Sequence, residues 1–149
     1  MPIEIIVLGP GDESVLASVA PGVFDHPVQQ RLSSEFLNDS RHHLAVAIDA
    51  GCVVGFASAV HYVHPDKATE LWINEVGVAP THKRRGLGKK LLQTLLELGG
   101  RLGCREAWVL TDRTNRPAIE LYASVGGTES PGETVAFSFV LPPRIDTIV

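Results

Sequence analysis

What this sequence lacks narrows its function first. It has no basic excess: 13 Lys and Arg stand against 17 Asp and Glu, for a net charge of −4. Nucleic-acid binders neutralise phosphates with basic patches, so that class is disfavoured. An acidic balance suits a cationic small molecule or peptide instead. There are only two cysteines, Cys52 and Cys104, and neither belongs to a CxxC pair. That is too few for a disulfide framework. Each stands beside a glycine where an element begins, and each reads as a small buried hydrophobe in a reducing compartment. No apolar run could cross a bilayer: the longest, Cys52 to Val63, is far short of the ~20 residues required and contains His61. The opening Met-Pro-Ile-Glu-Ile-Ile-Val-Leu lacks the basic region and small-residue cleavage site of a secretory signal. A cytoplasmic location is the expectation, with no nucleic-acid or membrane partner.

What is present fits one domain over residues 1–149. Hydrophobic residues make up 44% and charged residues 20%, enough for a packed core and unlike a disordered chain. Ile3–Leu8 is rich in β-branched residues and reads as a strand, broken by Gly9-Pro10-Gly11. Asp12 reads as the N-cap of a short helix running to Ala20. A second helix is expected from Val28 to Leu37, with Leu32, Phe36 and Leu37 on one face. His43–Ile48 and Cys52–Tyr62 read as strands joined through Asp49-Ala50-Gly51, with glycine where a hairpin turn wants positive φ. Glu70–Ala79 is a third central strand, closed by Pro80. Gly86–Leu102 is the strongest helical segment, with a broad leucine face formed by Leu87, Leu91, Leu92, Leu95, Leu96 and Leu98, ended by Gly103. Then come a strand at Glu106–Thr111, a helix at Pro117–Val125 and a final alternating strand at Thr134–Leu141. After these, Pro142-Pro143 and the tail read as a frayed end. The order β-α-α-β-β-β-α-β-α-β implies an α/β (α+β) fold with a mixed sheet and helices on its faces.

The segment Val76-Gly77-Val78-Ala79-Pro80-Thr81-His82-Lys83-Arg84-Arg85-Gly86-Leu87-Gly88 carries the clearest chemistry. A strand ends, a tight basic turn follows, and a long helix begins at glycines. The first N–H groups of a helix have no partner inside it, and the helix dipole adds partial positive charge there. Glycines admit a ligand close to the backbone, and Lys83, Arg84 and Arg85 add formal charge. The combination reads as a phosphate or pyrophosphate site. A solvated surface turn with simple glycine caps competes with it. Two established phosphate loops are excluded: no GxxxxGK[ST] string occurs, and Gly86-Leu87-Gly88 is followed by Lys89-Lys90-Leu91, without the third glycine of GxGxxG.

From Val78 to Gly88 this segment resembles the acetyl-CoA signature of the GNAT N-acetyltransferase superfamily, [RQ]xxGxG after a strand ending in V-x-P, with Lys83 at the first position in place of Arg or Gln. Asn115-Arg116-Pro117-Ala118-Ile119-Glu120-Leu121-Tyr122-Ala123-Ser124-Val125-Gly126-Gly127 is similar to a second family segment, N-xxA-xx-LY-xxx-GF, with Gly127 for the usual aromatic. Within the superfamily, Glu70–Val78 is similar to the central strand of the gentamicin-type aminoglycoside 3-N-acetyltransferases, which carry an acid where Glu75 stands.

The resemblance implies a GNAT fold: a mixed, mostly antiparallel twisted sheet of six to seven strands with about four helices. It also implies acetyl-CoA as cosubstrate and direct transfer to a primary amine in a ternary complex. Glu75 is then the candidate general base, because partial burial in an apolar strand raises a carboxyl pKa toward a useful range; pairing with a nearby Lys or Arg is the alternative. Tyr122 is the candidate acid at the departing thiolate, with an amphipathic core tyrosine as the alternative. Val76 and Val78 would pair through their backbone with the pantetheine arm. Lys83, Arg84, Arg85, Gly86, Leu87 and Gly88 would hold the pyrophosphate. Asn115 would cap its helix and face the cofactor. Asp112, past a strand end, could help to hold a cationic acceptor. His61, His64 and Asp66 could be read as a metal site, but an i, i+3 pair on a strand faces opposite ways, so no metal is expected. Expected acceptors are aminoglycoside-like amino sugars, then polyamines or peptide and protein amines; a CoA-binding module without turnover is the rival class. A homodimer is a partner to expect for this fold.

Overall fold

The computed structural model describes residues 2–143. Five strands form one sheet in sequence order: β1 (Glu4–Leu8), β2 (His42–Asp49), β3 (Cys52–Tyr62), β4 (Glu70–Val78) and β5 (Glu106–Trp108). The first four are antiparallel neighbours, and β5 lies parallel to β4. Three α-helices accompany them: α1 (Gln30–Leu37), α2 (Leu87–Arg101) and α3 (Arg116–Ser124). Single 3₁₀ turns span Glu13–Ala17 and Pro80–His82.

The core is the face of β2, β3 and β4 under α2. Leu91, Leu92 and Leu95 are 0–1% exposed and pack with Ala45, Ala57 and Leu71. Each buried leucine is worth about 2 kcal/mol, which makes this stripe the main anchor of the helix. Gly99 lets α2 come close to β4, since a Cβ there would stand 2.9 Å from Leu71 Cδ2. Two helix ends close as their glycines suggest. After α2, Gly103 (φ +88) donates to the Gly100 carbonyl and Cys104 to that of Gly99; after α3, Gly126 (φ +94) donates to Ala123 and Gly127 to Tyr122. Both are Schellman closures.

Four expectations need correction. Asp12 does not cap a helix: its carboxylate accepts from Gly9 N–H at 2.8 Å, and only a five-residue 3₁₀ turn follows. The second helix starts at Gln30 rather than Val28, because the backbone of Gln29 is extended and serves as its N-cap residue. The Glu106–Thr111 strand stops at Trp108, and Thr134–Leu141 joins no sheet. Val135, Phe137, Phe139 and Leu141 are 71%, 81%, 82% and 79% exposed. Alternation makes a strand only where a partner edge exists, and β5 offers three residues. The sheet therefore has five strands rather than six or seven, and three α-helices rather than four, among the described residues. The tail beyond Pro143 lies outside them.

Candidate active site

β4 leads through the Pro80–His82 turn into α2, and this corner is tied down from the far side of the sheet. His82 Nε2 lies 2.7 Å from Asp49 Oδ2 at the β2–β3 hairpin, while His82 Nδ1 meets Thr81 Oγ1 at 2.8 Å. The chain then takes two left-handed steps, Arg84 at φ +64 and Gly86 at φ +76. α2 starts on Gly86 with no side-chain cap, and Lys90 is the first N–H to reach a carbonyl, that of Gly86 at 3.1 Å. The N–H groups of Leu87, Gly88 and Lys89 thus leave the helix end unpaired by geometry. Lys83, Arg84 and Arg85 are exposed around them. No side-chain cap competes for these donors, the arrangement in which a helix start can take an anion.

The second half of the site meets the first at one point. A Cβ on Gly88 would stand 3.3 Å from Leu121 Cδ2 and 3.9 Å from Val76 Cγ1. So β4, the start of α2 and α3 converge, with Tyr122 half-buried beside Leu121. Burial pushes the Tyr122 hydroxyl above its ordinary value, so it keeps its proton at neutral pH. Asn115 caps α3 as expected, its Oδ1 accepting from Ala118 N–H at 3.2 Å, with Pro117 in the first turn.

Glu75 lies on the opposite face of β4 from Val76. Strict alternation would send it under α2 with Leu71 and Ile73. A bulge intervenes: Ala59 pairs with Ile73 but Ser58 pairs with Glu75, leaving Asn74 as the extra residue. Glu75 therefore turns away from α2 into a cleft of about 300 Å³ lined by Phe24, Asp25, His26, Phe36, Phe56 and Ser58 among others. Its carboxyl is raised above the ordinary value, first by burial and then by the charge of Asp25, with His26 opposing.

The loop carrying Asp25 and His26 is the part that sequence reading missed. It is held where Val53 exchanges backbone hydrogen bonds with Ser18 and Ala20, at 2.9 and 2.8 Å, and where Phe24 stacks on Phe56 with centroids 4.1 Å apart. The one available signal was an acid between Pro21 and Pro27, in a stretch too short for an element.

A family model described as "Acetyltransferase (GNAT) family" matches residues 15–126. The chain belongs to the GNAT acetyltransferase family. Streptothricin acetyltransferase of Streptomyces lavendulae is 30% identical over 107 residues, which are 64% of this chain and 54% of that protein. The chain thus spans about half the length of this relative. Among solved structures, an aminoglycoside acetyltransferase from an uncultured soil metagenomic sample superposes with TM-score 0.78 and 25% identity, covering 95% of this chain and all of that one. Aminoglycoside N-acetyltransferase AAC(6')-Iy in complex with CoA shares the fold at TM-score 0.73 and 22% identity, over 93% of this chain and 95% of that one.

In this GNAT chain the remaining candidates fall apart from the cleft. Asp112 is exposed in the turn before α3, its carbonyl accepting from Asn115 N–H, and does not line the cleft. His61 turns to His43, and His64 to Glu70 at 2.9 Å. Among the described residues no three metal-ligating side chains converge, and no helix is long and apolar enough to cross a membrane.

Proposed function

We propose that this chain is an acetyl-CoA-dependent N-acetyltransferase acting on a primary amine of a small cationic acceptor, with aminoglycoside-like amino sugars as the leading class. The single observation that carries the reading is the bulged β4. One of its faces brings Val76 against the uncapped start of α2, and the other presents Glu75 to an acid-lined cleft. The cofactor would thus lie along the edge of β4 beyond Trp72, where β5 no longer pairs, and the acceptor would approach from the Glu75 face.

Bound acetyl-CoA supplies an activated thioester. The N–H groups of Leu87, Gly88 and Lys89, with Lys83, Arg84 and Arg85, hold its pyrophosphate, and the backbone of Val76 and Val78 lies along the pantetheine arm. Glu75 takes the proton that the acceptor ammonium must lose before its lone pair can form the C–N bond. Its raised pKa makes it a stronger base than an exposed carboxylate, and Asp25 keeps the cleft negative for a cation. Tyr122 retains its proton and gives it to the sulfur as the C–S bond breaks. The nitrogen loses two protons in all: the first goes to Glu75, and the second, shed as the C–N bond forms, restores the Tyr122 hydroxyl that has protonated the sulfur, so one proton passes from Glu75 to solvent in each turnover.

The test is thiol release from acetyl-CoA against aminoglycosides, polyamines, amino acids and short peptides. Glu75→Gln should lower turnover by about 10²–10⁴-fold. Wild-type activity should fall as pH drops through the raised pKa of Glu75, because the base is then protonated. Tyr122→Phe should lower turnover with acetyl-CoA affinity retained. Tight acetyl-CoA binding with no release for any amine would overturn the reading in favour of a binding module.

A further inference from the structure

The bulge that turns Glu75 into the cleft also fixes what lies next to it. On that face the register runs Phe56↔Gly77, Ser58↔Glu75, Val60↔Trp72 and Tyr62↔Glu70. Trp72 therefore shares the face of Glu75, displaced along the strand by about 7–10 Å. β5 adds Trp108 directly beside Trp72. The two indoles meet edge to face with centroids 3.9 Å apart. Trp108 Nε1 donates to Tyr62 Oη at 2.8 Å, and Trp72 Nε1 to Asn74 Oδ1 at 3.4 Å.

This cluster is not core. Trp108 is 39% exposed, and neither indole belongs to the buried set under α2. Its rings are nonetheless held by two hydrogen bonds and a mutual contact, so their orientation is fixed before any ligand arrives. Fixed aromatic faces attract polarised C–H groups and cations. The indoles lie beyond the lining of the Glu75 cleft but on the same face of β4 as two carboxylates, Glu75 and the His64-paired Glu70, with a hydrogen-bonding rim of Asn74 and Tyr62.

Resting on the proposed acetyl transfer at Glu75, we infer that Trp72, Trp108 and Tyr62 form the subsite for the body of the acceptor, which takes the C–H face of a saturated ring bearing ammonium groups. A ring amine places one ammonium at Glu75 while its flat apolar side rests on the indoles. A linear polyamine offers no such face, and it loses more conformational freedom on binding. The cluster therefore selects amino sugars over flexible amines through binding of the body, not through the chemical step.

The test compares an amino sugar with a linear triamine. In Trp108→Ala the ratio of kcat/KM for the amino sugar over the triamine should fall at least tenfold, chiefly through KM for the amino sugar. Trp108→Phe should recover most of the ratio. A ratio within twofold of wild type would overturn the subsite. Binding is read separately, from indole fluorescence titrated with the amino sugar alone. Saturable quenching that weakens in Trp108→Ala supports the subsite even if no thiol is released, in which case the acetyl-transfer reading is what fails. No binding of the amino sugar to the wild-type protein overturns the subsite.

Discussion

Acid should loosen this fold through one pair of histidines. His43 on β2 is 8% exposed and faces the α2 side of the sheet. Its Nε2 lies 2.7 Å from Nδ1 of His61 on β3, and the rings stack with centroids 5.0 Å apart. One proton can sit between these nitrogens. A second would put two cations face to face in apolar surroundings. Burial first, then the charges of His61 and His42, hold the His43 imidazole down at about 4. In the unfolded chain the group titrates near 6.5. Between those values the unfolded state binds more protons, so stability rises with pH across that window and is lost as pH falls through it. At about 1.4 kcal/mol per pH unit, the full gap is worth about 3 kcal/mol, against a typical total of about 5–15. The assay is urea unfolding by circular dichroism at about pH 7 and about pH 4.5 for wild type and His43→Gln, whose amide stays neutral and can still meet His61. The wild type should lose about 2–3 kcal/mol more than the variant, the contribution of carboxylates cancelling in the difference. Equal losses within about 0.5 kcal/mol would refute the reasoning.

Three further outcomes are expected. Gly77→Ala places a Cβ 2.5 Å from the Val23 carbonyl and 2.7 Å from Phe56 Cε1, so it should cost about 1–3 kcal/mol in urea unfolding and disturb the loop carrying Asp25. An unchanged midpoint would mean that the loop does not press on β4. Ala50 sits at φ +50 beside Gly51 at φ +79 in a two-residue hairpin. Asn-Gly suits that turn, so Ala50→Asn should raise Tm, by about 0.5–1 kcal/mol of stability, and a lower Tm would contradict the strain. Asn115→Ala should cost about 1 kcal/mol through loss of the α3 cap, read as a Tm decrease with the far-UV spectrum otherwise preserved.

The leucine spacing of α2, the glycines that close α2 and α3, and the Asn115-Pro117 start of α3 were all legible because they rest on contacts within a few residues. So was the basic glycine turn, since the donors it presents belong to the helix start itself. The C-terminal alternation at Thr134–Leu141 was legible as a pattern but named a strand the sheet does not contain, because pairing needs a second edge that no local pattern supplies.

Glu75 was readable as an uncommon acid in an apolar strand. Which way it points was not. By alternation alone it belongs under α2, and a single extra residue at Asn74, visible only in the pairing of β3 with β4, turns it into the cleft. Asp25 and His26, 50 and 49 positions earlier in the chain, become its neighbours only because Val53, Phe56 and Gly77 hold their loop against the sheet. The sequence by itself determined α2, α3 and the uncapped basic turn at the start of α2, all consequences of short-range periodicity and end chemistry. Tertiary structure decided the Glu75 cleft, because register, bulge and loop docking depend on contacts between residues far apart in the chain, whose free energy no local pattern encodes.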